Sequence, residues 1–158
     1  MAKPTGTKPI AENRRARFDY ELLERFEAGI VLMGTEVKSL REGRVTLAQA
    51  YADVRDNEVW LIGAEISAYA QGNSANHEPT RDRKLLLKRG EIADLVGKVR
   101  EKGQTIVPTR LYFKDGRVKI EIALARGKEK GDKRRDLVER DAKRDMERAL
   151  KSRRRALR

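Results

Sequence analysis

The stretch Thr105-Ile106-Val107-Pro108-Thr109-Arg110-Leu111-Tyr112-Phe113-Lys114-Asp115-Gly116-Arg117-Val118-Lys119-Ile120-Glu121-Ile122-Ala123-Leu124-Ala125 decides the fold of this sequence. Val118, Ile120, Ile122 and Leu124 recur at every second residue, the period of a strand that buries one face. Asp115-Gly116 lies between two such runs, and an Asp-Gly pair supplies the left-handed backbone that a two-residue hairpin turn demands. The reading is a long antiparallel hairpin, residues 105–114 with 117–125. Pro108 has no N–H to give a ladder, so it marks an edge or a bulge.

Working outward, Asp56-Asn57 joins two further strands, residues 50–55 and 58–66, as a second hairpin turn. Residues 18–23 and 27–33 read as extended, with Gly29 a bend or bulge. Residues 34–41 read as a short helix in which Val37 and Leu40 share a face and Gly43 closes the end. After a polar loop at 71–79, residues 81–101 read as helical with a break near Gly90, placing Leu85, Leu86, Ile92, Leu95 and Val99 toward the core. Gly103 ends that helix. Residues 1–9, rich in Lys, Pro, Thr and Gly, read as disordered. About six strands and two or three short helices without βαβ alternation predict a mainly β, α+β body: a small barrel or another antiparallel packing. Barrels of the oligonucleotide-binding type are one natural solution.

Charge adds the next constraint. The 158 residues hold 37 Lys and Arg against 25 Asp and Glu, a net +12. A field of that sign attracts polyanions. Residues 126–158 hold 15 of the basic and 7 of the acidic side chains, so two thirds of the net charge sits in the last fifth of the chain. No apolar run approaches the roughly 18 residues that span a bilayer, and no signal-peptide-like apolar stretch opens the chain. Of the three candidates, nucleic acid, anionic membrane and acidic protein, membrane is therefore the weakest. The absence of cysteine excludes disulfides and thiolate chemistry, and suits a reducing cytoplasm.

The basic tail has internal order. A flexible link, Gly127-Lys128-Glu129-Lys130-Gly131, precedes Asp132, a candidate helix N-cap. Asp136/Arg140, Glu139/Lys143 and Glu147/Lys151 are favourable pairs four residues apart. Val138, Ala142, Met146 and Leu150 form a thin apolar stripe that can bury little area. Helices of this kind are marginal in water without a partner. The expected domains are thus a disordered segment 1–9, a body 10–126, and a tail 127–158 that is coil when free and helical when bound.

Chemistry of an enzyme is hard to assemble from this chain. His77 is the single histidine and lies in a Gly/Ser/Asn loop, where a solvated side chain is expected; no second His and no Cys complete a zinc site. No nucleophile elbow or phosphate-binding loop occurs. Glu27 and Glu36 could be imagined as paired carboxylates, but surface or salt-bridging roles fit this charge density better. No cofactor, metal or small-molecule substrate is implied.

Several motifs in order resemble the small protein B family, the tmRNA-binding factors of bacterial trans-translation. They are Asn13-Arg14-Arg15-Ala16-Arg17, Phe26-Glu27-Ala28-Gly29, Gly34-Thr35-Glu36-Val37-Lys38-Ser39-Leu40-Arg41, Pro79-Thr80-Arg81-Asp82-Arg83-Lys84-Leu85-Leu86-Leu87, Leu111-Tyr112, and Gly127-Lys128 with Asp132-Lys133-Arg134. The resemblance implies an oligonucleotide-binding-type barrel that holds the tRNA-like domain of tmRNA near its elbow. It also implies a tail that becomes helical in the decoding centre and empty messenger channel of a stalled ribosome. The incomplete product is then tagged for proteolysis. Partners so implied are tmRNA, ribosomal RNA of the small-subunit decoding centre, and a complex with alanyl-tmRNA and elongation factor Tu.

Carried over by position, the residues that contact tmRNA or shape the surface that does are Asn13, Arg14, Arg15, Arg17, Phe18, Glu27, Leu86 and Lys119. The decoding-centre residues are Asp132, Lys133 and Arg134, and the basic tail adds Lys128, Arg140, Lys143, Arg144 and Arg148. The residues themselves leave Glu27 open between an RNA acceptor and a structural ion pair, and Leu86 open between an RNA contact and the core. Two departures stand out: Glu129 where relatives often carry a second Lys, and Phe18 where some carry His. An aromatic face at Phe18 still permits stacking on a base.

Overall fold

The structure, a computed structural model, describes residues 6–72, 75–127 and 130–156. It divides into two units, Met1–Arg126 and Gly127–Arg158.

The first unit runs β1 (Thr7–Glu12), α1 (Arg14–Asp19), β2 (Tyr20–Ile30), α2 (Gly34–Arg41), β3 (Val45–Thr46), β4 (Tyr51–Arg55), β5 (Glu58–Ile62), β6 (Glu65–Ile66), β7 (Arg83–Leu86), α3 (Arg89–Lys102), β8 (Thr105–Lys114) and β9 (Arg117–Gly127). The seven-stranded sheet has the order β1-β8-β4-β5-β7-β2-β9, and β9 pairs again with β8. Six strands therefore close into a ring, the barrel expected from the sequence, with β1 added outside it on β8. The two short strands β3 and β6 pair separately.

Both turns follow the sequence. Asp56 and Asn57 have φ of 51° and 60°, and Asp115 and Gly116 have 51° and 81°. This positive pair is what the tight hairpin turn needs, and it fixes the register outward: Lys114 faces Arg117, Phe113 faces Val118 and Tyr112 faces Lys119. The register shifts between Pro108 and Arg110, so Pro108 sits at a bulge. Ala28, Val59, Leu61, Ile106, Leu111, Ile120, Ile122 and Leu124 fill the barrel, and Leu95 of α3 and Leu40 of α2 pack on it.

Several expectations are corrected. Thr7–Pro9 are not disordered: they begin β1, whose backbone pairs with the outer half of β8 from Thr7↔Lys114 onward. Residues 1–5 lie outside the described residues. Gly29 does not interrupt its strand or open a bulge against β7: β2 continues through it and pairs Gly29 with Leu86. Phe18 and Asp19 belong to α1, not to an extended run. The segment 81–86 is not helical, because Arg83–Leu86 is strand β7 with Arg83 and Leu85 buried and Leu86 outward. The three-leucine run hid its two-residue period, since the inward polar position, Arg83, looks like a surface residue in sequence.

Arg83 is buried by pairing. Glu36 of α2 accepts from Arg83 Nε, from Arg81 Nη2 at 2.5 Å and from the Met33 N–H at 2.7 Å. Arg83 also donates to the carbonyls of Ala64, Arg81 and Pro79, each at 3.0 Å. Burial pushes the Glu36 carboxyl up, but the donors from Arg81, Met33 and Arg83 outweigh it and hold it below the ordinary range. His77 is likewise buried rather than solvated. Its Nε2 donates to the Ile66 carbonyl at 2.9 Å, and its Nδ1 meets Thr35 Oγ1 at 2.8 Å. It ties α2 to β6, a structural role that its Gly/Ser/Asn surroundings concealed.

The second unit is α4, Lys130–Ala156. At 27 residues it reaches about 40 Å. It begins two residues ahead of Asp132, which is therefore within the helix and not at its cap. The sequence reads this segment as coil when free; the structure describes its helical form.

Candidate nucleic-acid interface

Three adjacent strands, β2, β9 and β8, build the outer face that the resemblance points to. On β2, Phe26 and Ala28 are buried, so Glu27 between them must point outward. On β8 and β9, the turn register sets Tyr112 beside Lys119. Glu27 and Lys119, 92 positions apart in sequence, thus arrive on one surface. Tyr112 Oη donates to Glu27 Oε2 at 2.5 Å, and Lys114 Nζ donates to Oε1 at 3.1 Å. The Tyr112 hydroxyl first, then Lys114, hold the Glu27 carboxyl below its ordinary range, with the Lys119 charge adding to them. Burial and the neighbouring carboxylate push the Tyr112 phenol well above its usual value, so it remains a donor.

The rest of this face is ordered by Glu121. Its Oε2 accepts from Thr109 Oγ1 at 2.6 Å and from Arg110 Nε at 3.2 Å, while Arg25 approaches Oε1 at 4.0 Å. The Arg110 guanidinium lies 5.0 Å from the centre of the Tyr112 ring. A surface of Arg25, Arg110, Lys114 and Lys119 braced by two carboxylates suits a phosphodiester backbone with donors of its own.

Leu86 lies next to this face and is 52% exposed. It covers Gly29, where an added Cβ would stand 3.3 Å from the Leu86 Cβ. Gly29 thus lets a leucine lie flat on the barrel wall. Leu86 is not a core residue; that task belongs to Leu85, 2% exposed.

Asn13 shapes a second basic element. It is buried, its Oδ1 accepts from the Ala16 N–H at 3.3 Å and its Nδ2 donates to the Pro108 carbonyl at 2.9 Å. With both amide atoms committed, Asn13 caps α1 and anchors it to the β8 bulge; it does not itself form a contact surface. That cap sets Arg14, Arg15 and Arg17 on the exposed side of α1, with Arg15 bridged to Asp19 at 3.3 Å. Phe18 is half-buried there. A groove of about 300 Å³ beside α1 is lined by Asn13, Arg15, Asp19, Tyr20, Gln49 and Tyr51 among others.

In α4, Arg134, Arg140, Lys143, Arg144 and Arg148 are exposed, as are Val138, Met146 and Leu150. Lys128 and the side chains of Asp132 and Lys133 lie outside the described residues. Among the described residues no cluster of His, Asp and Glu could hold a metal ion, and no helix is long and apolar enough to cross a membrane.

A family model described as SmpB protein matches residues 10–152. The SsrA-binding protein of Parafrankia sp. (strain EAN1pec) is 57% identical over 150 residues, 95% of each chain. The chain belongs to the SmpB family. Its likeness to the SsrA-binding protein of Thermobifida fusca (strain YX) is 57% over 152 residues, 96% of this chain and 95% of that one. A solved structure of tmRNA and SmpB in the bacterial ribosome matches with a TM-score of 0.65 at 47% identity, covering 82% of this chain and 94% of that chain. Members of the SmpB family are RNA-binding factors and not enzymes, in line with a surface built from cations, a braced carboxylate and an exposed leucine.

The residues that sequence reasoning missed are Thr109, Arg110, Tyr112, Lys114 and Glu121. Tyr112 served only as a motif letter, yet counting outward from Asp115-Gly116 sets it opposite Lys119 and marks it as a neighbour of that lysine.

Proposed function

We propose that this chain binds the tRNA-like domain of tmRNA through the β2/β9/β8 face and α1, and carries it to stalled ribosomes in trans-translation. What chiefly supports the reading is likeness over nearly the whole chain to proteins named for binding SsrA RNA. In this scheme Glu27, Leu86 and Lys119 touch the RNA, Asn13 positions Arg14, Arg15 and Arg17, and Phe18 offers an aromatic edge. The tail enters the decoding centre and the empty messenger channel, where Asp132, Lys133 and Arg134 meet ribosomal RNA and Lys128, Arg140, Lys143, Arg144 and Arg148 follow the backbone. The incomplete product is then tagged for proteolysis. The work is cytoplasmic, in a complex with alanyl-tmRNA and elongation factor Tu.

The test is to purify the protein from its own cells without nuclease and sequence the RNA that accompanies it. Strong enrichment of one tRNA-like RNA is expected; a broad mixture of ribosomal and messenger RNA would overturn the reading. Binding to that RNA is also expected to be salt-sensitive. If six phosphates are neutralised, affinity falls about 10³-fold between 50 and 200 mM salt, read as the slope of a titration series.

A tail that forms its helix on the ribosome makes two further demands. Circular dichroism of the peptide 127–158 should show mainly coil, because its apolar stripe has nothing to pack on. Ala142→Pro, in the middle of α4, should abolish tagging while sparing RNA affinity, since an interior proline costs a helix about 3 kcal/mol or more.

A further inference from the structure

We infer that Tyr112 is a positioning residue of the RNA interface, holding the Glu27 carboxylate in place, oriented and with lone pairs left for a ribose hydroxyl or a base amino group. This rests on the reading of Glu27 as an RNA-facing acceptor and goes beyond it. The argument begins with geometry. Tyr112 stands on β8 and Glu27 on β2, with β9 between them, so the 2.5 Å contact spans the middle strand. The Tyr112 ring is itself fixed, 4% exposed and stacked beneath Arg110, whose guanidinium is held by Glu121. A rigid phenol on a barrel wall can hold a carboxylate more firmly than a lysine chain can.

A bare surface carboxylate would serve RNA poorly, because it repels phosphate and rotates freely. Here Oε2 is engaged by Tyr112 and, at 3.3 Å, by Lys114, and Oε1 by Lys114 alone at 3.1 Å, yet 38% of the Glu27 side chain stays exposed. Each carboxylate oxygen accepts more than one hydrogen bond, so an incoming donor finds a pre-aimed acceptor flanked by cations. The charged and titratable groups facing Glu27 are Tyr112 and Lys114 from β8 and Lys119 from β9. The phenol stays protonated and cannot compete as an anion.

The experiment compares full-length wild type, Tyr112→Phe, Glu27→Gln and the double variant for affinity to the tRNA-like RNA, across pH. Tyr112→Phe keeps the ring under Arg110 and removes one hydroxyl. Losing a hydrogen bond to a charged group should weaken binding roughly tenfold. Glu27→Gln should weaken it at least as much, and the double variant should be no worse than Glu27→Gln. The pH profile separates positioning from packing. Wild-type affinity should decline on acidification only below the ordinary carboxylate range; in Tyr112→Phe the decline should begin at higher pH, and Glu27→Gln should lack that limb. Thermal melts check that each variant is folded. If Tyr112→Phe binds like wild type while Glu27→Gln is weak, the positioning role is wrong and the Glu27 reading stands. Losses that add in the double variant would also overturn it. If Glu27→Gln binds like wild type, the reading of Glu27 itself fails and the inference with it.

Discussion

Ending the chain at Lys130 is expected to abolish tagging of stalled products while changing affinity for the tRNA-like RNA by no more than about tenfold, the share of one or two phosphate contacts. The body is a unit by itself up to Arg126, with its barrel closed by β8 and β9 before the tail begins. Every residue assigned to the tmRNA-facing surface lies within it. The tail keeps most of the surplus charge and exposes Val138, Met146 and Leu150. Tagging and RNA affinity, measured on the same truncated protein, should therefore separate. A truncated body that lost affinity for all RNA alike would make the tail a polycationic tether, and the division of labour proposed here would be wrong.

The second large effect is on stability. Glu36→Ala should destabilise the body by about 3–5 kcal/mol, because it leaves the fully buried Arg83 without its counter-charge. Urea unfolding followed by the fluorescence of Trp60, the single tryptophan, measures this directly. Adding Arg83→Met should recover only part of the loss, since the carbonyls of Ala64, Arg81 and Pro79 would then lose the Arg83 donor, with Pro79 keeping the Ile66 N–H at 2.9 Å. The pH dependence has a definite sign. The folded carboxyl is held below its unfolded value, so its stabilisation is complete above the ordinary carboxylate range and is lost as pH falls through the lowered value. The gap between wild type and Glu36→Ala should narrow in acid.

These two cases mark what the sequence could and could not disclose. Short-range signals were legible: Asp115-Gly116 and Asp56-Asn57 announced their hairpins, the helix 34–41 appeared at its predicted residues, and Pro108 marked its bulge. What failed depended on distant partners. Arg83 looks like a surface residue until Glu36, 47 positions earlier, is packed against it, and so the strand through it passed for helix. Thr7–Pro9 carry no strand composition because they need only lend backbone to the edge of β8. At the interface, Glu27, Leu86 and Lys119 came from resemblance, and only the fold showed that Leu86 points outward. Asn13 came from the same motif, and its work proved to be capping.

The way β1 is fastened has a practical corollary for anyone wishing to watch this protein at work. Gly6 and Asp115 hold one another through two hydrogen bonds, Gly6 N–H to Asp115 Oδ1 at 2.9 Å and Asp115 N–H to the Gly6 carbonyl at 3.0 Å. The leading end of the barrel is thereby stitched to the β8–β9 turn, one residue from the ammonium that grips Glu27. An affinity handle fused ahead of Gly6 would start beside the wall proposed to meet RNA, and one fused to the other terminus would burden the tail. A fluorophore or short epitope belongs instead at Asp56-Asn57, the tip of the β4–β5 hairpin, because β5 lies opposite β9 in the ring.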